Sequence, residues 1–100
     1  VELLKKATEL VQSIPSRHFI LESYLFGSAI NGTFTSDSDL DLLIVVDSEE
    51  QVKKLQSEVY KFGFADIAID WIFKTNTDFQ SRKNYGGICF EAFHHGKKLL

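Results

Sequence analysis

The chain has 100 residues, 44% of them hydrophobic and 13% aromatic with nine Phe, so it supports one hydrophobic core spanning residues 1–100 and cannot be a disordered tail. A formal charge of −3, with 11 basic and 14 acidic residues spread along the chain, lacks the concentrated positive face of a phosphate-backbone binder and argues against long duplex nucleic acid as a ligand. A lone Cys89 that reads as core packing, no apolar run near the roughly 18 residues of a membrane span, and charges through VELLKKATEL together predict a soluble cytoplasmic protein with no membrane partner.

From Glu2 to Ser13, the residues Leu3, Ala7 and Leu10, followed by Ile14, recur at spacings of four, three and four, which is one apolar stripe of a helix that Pro15 stops. Phe19 to Phe26 is aromatic and aliphatic and then meets Gly27, so it reads as a short buried strand running into a turn. Ser28 to Ser38 is polar and small. Leu40 to Val46 is too short for a typical helix and rich in β-branched and aliphatic residues, as a central strand covered on both faces would be. Ser48 and Gln51 make a capping-box pattern, after which Val52, Leu55, Val59 and Phe62 recur at helical spacing until Gly63. Phe64 to Phe73 alternates, with Ile67, Ile69, Trp71 and Phe73 on one face and Asp66, Ala68, Asp70 and Ile72 on the other, so a third strand is expected. Thr77 and Gln80 repeat the capping-box spacing ahead of a last helix that Gly86-Gly87 bends or splits, and that ends near Gly96. The order predicts an α/β (α+β) fold, a small sheet with helices packed on it.

Asp39 and Asp41 stand two apart at the mouth of the central strand, so their side chains leave one face with Cα atoms about 6 to 7 Å apart. Carboxylates that close repel, and a divalent cation relieves the repulsion; with oxygen ligands and no His or Cys nearby, Mg²⁺ or Mn²⁺ suits them better than zinc. Asp37, Ser38 and Asp39 would equally build an ordinary acidic turn. A Ca²⁺ loop of the EF-hand type fails, because Leu42 falls where Gly is needed and Ser48 where a bidentate Glu is needed. Asp70, expected inside an apolar strand, needs either an Arg or Lys partner or a place as a third metal ligand, and the residues alone leave both open. Asp66 reads as an exposed edge residue. Gly27-Ser28, after a strand and at the possible start of a helix, is a place where backbone N–H groups favour a phosphate.

The stretch GSAINGTFTSDSDLDLLIVV resembles the signature of the DNA polymerase beta-like nucleotidyltransferase superfamily: Gly-Ser, ten intervening residues, then Asp-x-Asp. Gly32-Thr33 falls where minimal members of that superfamily carry Gly-Thr, Asp70 comes in a later strand as the third carboxylate does, and EAFHHGKKLL looks like their closing helix and short strand. The resemblance implies the mixed sheet of that fold. It also implies that Asp39, Asp41 and Asp70 are catalytic metal ligands, that Gly27 and Ser28 grip the β- and γ-phosphates of a nucleoside triphosphate such as ATP, and that nucleoside monophosphate, AMP foremost, passes to a hydroxyl with loss of pyrophosphate. Members this short resemble the antitoxin half of a pair whose partner is an all-helical HEPN toxin, so a HEPN-domain protein is an expected partner. One departure is that Ala29 to Ser38 holds no Arg or Lys, where many relatives have Arg; Arg82 and Lys83 are the candidates to meet triphosphate charge, against their reading as a solvated helix face. His94, His95 and Trp71 receive no catalytic role. Two functions stay open: a transferase, and a module that neutralises a partner by contact with its site unused. An aminoglycoside-type transferase is disfavoured for want of a second helical domain.

Overall fold

The computed structural model describes residues 2–35, 37–61 and 67–99. Helix α1 covers Glu2–Gln12 and buries Ala7, Leu10 and Val11 along its predicted stripe. The chain then turns before Pro15 and makes a 3-10 turn over Arg17–Phe19, so strand β1 is shorter than its apolar run, Glu22–Phe26. A one-turn helix α2, Ser28–Asn31, follows between Gly27 and Gly32. Strand β2 is Leu40–Val46, the segment expected from sequence, and six of its seven residues are buried.

Helix α3, Glu49–Val59, begins on the predicted capping box: the Gln51 N–H donates to Ser48 Oγ at 3.3 Å, and Gln51 Oε1 accepts in return from the Asp47 N–H at 3.0 Å. Phe62, Gly63, Phe64 and Asp66, on which the end of that helix and the start of the third strand were placed, lie outside the described residues. Strand β3 is Ile69–Thr75, later than expected, and it passes directly into α4, Asn76–Arg82. The cap of α4 is therefore Thr75, whose Oγ1 accepts from the Asp78 N–H at 3.3 Å, and not Thr77. The last helix is split as predicted: α5, Gly87–His95, follows the Gly86-Gly87 break and leads to a two-residue strand β4, Lys97–Lys98.

These elements form a mixed sheet in the order β3-β2-β1-β4, with β2 and β3 parallel and the other pairs antiparallel. Strand alternation divides β2 between two cores. Ile44 and Val46 pack with Val11, Ile14, Val52, Leu55 and Val59 from the α1 and α3 side, and Leu40 and Leu42 with Ala7, Leu10 and Leu25. Leu43 and Val45 face Tyr24, Phe26, Phe79, Cys89 and Ala92 on the α4 and α5 side. Trp71 and Phe73 join the first side and Ile72 the second, as the alternation of β3 predicted. Cys89 is buried, as expected of a packing residue.

Candidate functional site

Three aspartates come together at one end of the sheet because of strand parity and register. Asp41 shares the parity of Leu43 and Val45, so it lies on the α4 and α5 side, and β2 pairs it in register with Phe26 of β1 and Asp70 of β3. Asp70 shares the parity of Ile72 and so points to the same side. Asp39, one residue before β2, is exposed and close enough for its charge to act on Asp41. Residues 29 apart in sequence thus become neighbours across a parallel strand pair.

Asp70 corrects one expectation. It is exposed, so the cost of an unpaired carboxylate in an apolar interior does not arise, and no buried Arg or Lys partner is required. The burden falls on Asp41, which is half-buried. Burial pushes its carboxyl above the ordinary carboxylate range, and the charges of Asp70 and Asp39 and a hydrogen bond with Asp70 push it further the same way. Among the described residues, the charges that act on Asp41 are those of Asp70 and Asp39, both negative.

Gly27 closes the site from the β1 side. It has φ 77°, a left-handed conformation that a side chain would strain, and an added Cβ would lie 2.3 Å from Asp41 Oδ2. From sequence, Gly27 has a phosphate-facing role only; its packing against Asp41 depends on strand register, which no spacing in the sequence reveals. The Ile30 and Asn31 N–H groups return to the Gly27 carbonyl at 3.0 and 3.1 Å, which opens α2 at Ser28. The N–H groups at the start of such a turn have no acceptor within it.

The described residues contain no group of three or more His, Cys, Asp or Glu side chains gathered tightly enough to hold an ion as they stand. In donor chemistry the aspartates nonetheless fit a hard divalent cation: all oxygen, mutually repelling, and set beside a backbone cradle that a Cβ at Gly27 would fill. Arg82 and Lys83 are engaged elsewhere. Arg82 Nε donates to Asp78 Oδ1 at 2.7 Å, and Lys83 Nζ lies 4.5 Å from the centre of the Phe93 ring. His94 Nε2 meets Asn84 Oδ1 at 2.9 Å in the last turn of α5.

The model of the nucleotidyltransferase domain family matches residues 4–94. Compared with curated proteins, the chain matches none. Among solved structures it is similar to that of a candidate nucleotidyltransferase from Sulfolobus solfataricus, at 1.40 Å resolution, with 28% identity, a TM-score of 0.60, and coverage of 80% of this chain and 73% of the other. That match agrees with the mixed α/β architecture. Among the described residues no helix is long and apolar enough to cross a membrane.

Proposed function

The chain belongs to the nucleotidyltransferase domain family, and on that premise we propose that residues 1–100 form one minimal nucleotidyltransferase domain that moves a nucleoside monophosphate, AMP from ATP, to an acceptor hydroxyl. The observation that carries the reading is the convergence of Asp41 and Asp70 across paired strands, with Asp39 acting on Asp41 and Gly27 packed against it. Asp39, Asp41 and Asp70 are the residues that would hold Mg²⁺ or Mn²⁺. A cation held there would supply charge neutralisation to the triphosphate and polarisation of its phosphorus centre.

Gly27 and Ser28 hold the β- and γ-phosphates through the backbone N–H groups at the start of α2. The acceptor oxygen forms a bond to the α-phosphorus while the bridging bond to the β-phosphate breaks, and pyrophosphate leaves. Asp70, exposed and able to meet solvent, orients the acceptor hydroxyl and takes its proton. Apart from that proton transfer, the chain contributes positioning and electrostatics. A HEPN-domain protein is the partner and acceptor suggested by the resemblance to antitoxin-type minimal members, and the lone buried Cys89 suits a reducing, cytoplasmic compartment.

A second reading is favoured by the engagement of Arg82 with Asp78 and of Lys83 with Phe93: a contact module that neutralises its partner without transferring anything. Incubation with α-labelled ATP and Mg²⁺ or Mn²⁺, with and without a co-purified partner, separates the two. Label moving to the acceptor with intact aspartates, and not with Asp39→Ala/Asp41→Ala, is the expected result. Neutralisation of a partner by that double variant, with no label transferred by either protein, contradicts the transferase.

A further inference from the structure

Gly96 follows α5 with φ −86° and ψ −179°, extended backbone open to any residue, so conformational freedom does not account for a glycine there. Space accounts for it. A Cβ on Gly96 would lie 2.5 Å from the Ala92 carbonyl oxygen, 2.8 Å from the Leu25 carbonyl oxygen and 3.1 Å from Phe26 Cβ. The first two are backbone atoms of α5 and β1, which cannot step aside without moving their elements. Beyond Gly96 the chain is fastened along β1: Lys97 pairs with Leu25, Lys98 with Tyr24, and the Leu99 N–H donates to the Ser23 carbonyl at 2.8 Å. On the other side of this contact, Phe26 is the register partner of Asp41 and the next residue is Gly27, whose missing Cβ leaves room for Asp41 Oδ2.

We infer that Gly96 is a positioning residue for the nucleotide site: it lets the end of α5 dock on Leu25 and Phe26 closely enough to fix where the Gly27-Ser28 turn meets Asp41. The inference rests on the reading of that turn and the aspartates as a nucleotide site, and adds to it a residue on another element. A methyl group at position 96 either drives α5 and β4 away from β1 or carries the end of β1 with them. The first strips Phe26 of its packing against α5 and the second displaces it, so either one loosens the turn that follows.

Calorimetric titration with a non-hydrolysable ATP analogue and Mg²⁺ tests this on Gly96→Ala, beside Val52→Ala, a core truncation on the α1 and α3 side. Gly96→Ala is expected to bind the analogue roughly tenfold more weakly or worse, given the steep cost of misplaced groups, with the Gly27 and Ser28 amide resonances displaced. Val52→Ala is expected to melt earlier yet keep the parent's affinity. Parent-like affinity and unmoved Gly27 and Ser28 amides in Gly96→Ala overturn the inference.

The unmodified chain supplies a second arm should Gly96→Ala fail to fold. Coupling is reciprocal, so the analogue should shift the Gly96 and Lys97 amides together with those of Gly27 and Ser28. Shifts at Gly27 and Ser28 alone overturn the inference and leave the nucleotide reading standing. Shifts at none of the four overturn both.

Discussion

Asp41 is the residue whose surroundings work most plainly against its charge. Burial, the nearby Asp70 and Asp39 and the hydrogen bond with Asp70 all raise its carboxyl above the value it has in the unfolded chain. For a raised carboxyl, the contribution to stability is fully present below the unfolded value and is lost as pH rises through the folded one. At neutral pH the metal-free protein therefore carries an unfavourable carboxylate here, a cost typical of functional sites. Asp41→Asn should stabilise the metal-free chain by about 0.5–1 kcal/mol in urea unfolding at neutral pH, while abolishing Mn²⁺ binding; a loss of stability would contradict the repulsion. Gly27→Ala should act oppositely. With φ 77° and Asp41 Oδ2 2.3 Å from the new Cβ, it should cost at least about 1–2 kcal/mol and weaken nucleotide binding, and parent-like values in both measurements would remove the close approach from the account of the site.

At the level of elements, the segments that were legible are those where one physical signal suffices. Leu40 to Val46 reads as a strand because both of its faces are covered, so nothing interrupts the apolar run. Ser48 reads as a cap because the box with Gln51 is local. The apolar run begins ahead of β1 because Phe19 and Ile20 are apolar for another reason: Phe19 ends a 3-10 turn, Ile20 caps it, and both pack onto the α1 and α3 core. The start of α4 was misplaced because Thr75 and Thr77 both offer a hydroxyl, and the choice depends on where β3 ends in register with Val46. Equally invisible was the tie between Ser16, after α1, and Glu58 of α3. The Ser16 N–H donates to Glu58 Oε1 at 2.9 Å and its Oγ to Oε2 at 2.7 Å, with Lys54 at 3.7 Å. Burial alone would raise the Glu58 carboxyl, but these partners outweigh it and hold it below the ordinary glutamate range. Its stabilisation is thus present above the unfolded value and lost as pH falls through the folded one. Glu58→Gln should lose about 1 kcal/mol at neutral pH, and thermal melts should find the gap from the parent closing in acid; a gap that is constant with pH would contradict the charge-assisted bonds.

Across the whole molecule, the sheet order β3-β2-β1-β4 turns motifs separated in sequence into neighbours: Gly27 follows β1, Asp41 is the second residue of β2 and Asp70 the second of β3. The sequence held the identities of these residues, since Gly-Ser and Asp-x-Asp at a fixed spacing resemble a family signature and the family match covers residues 4–94. It did not hold the parallel register that pairs Asp41 with Asp70, nor the antiparallel one that sets Phe26 beside Asp41. Nor did it hold the exposure of Asp70, because an apolar strand sequence cannot say which positions at its mouth are left uncovered. Binding of a metal–nucleotide complex at this juxtaposition is what calorimetric titration of Mn²⁺ with a non-hydrolysable ATP analogue into the parent and Asp39→Ala/Asp41→Ala chains would reveal. Saturable, Mn²⁺-dependent binding by the parent that disappears in the folded double variant is the expected result; equal binding by both chains, or none by the parent, would contradict it.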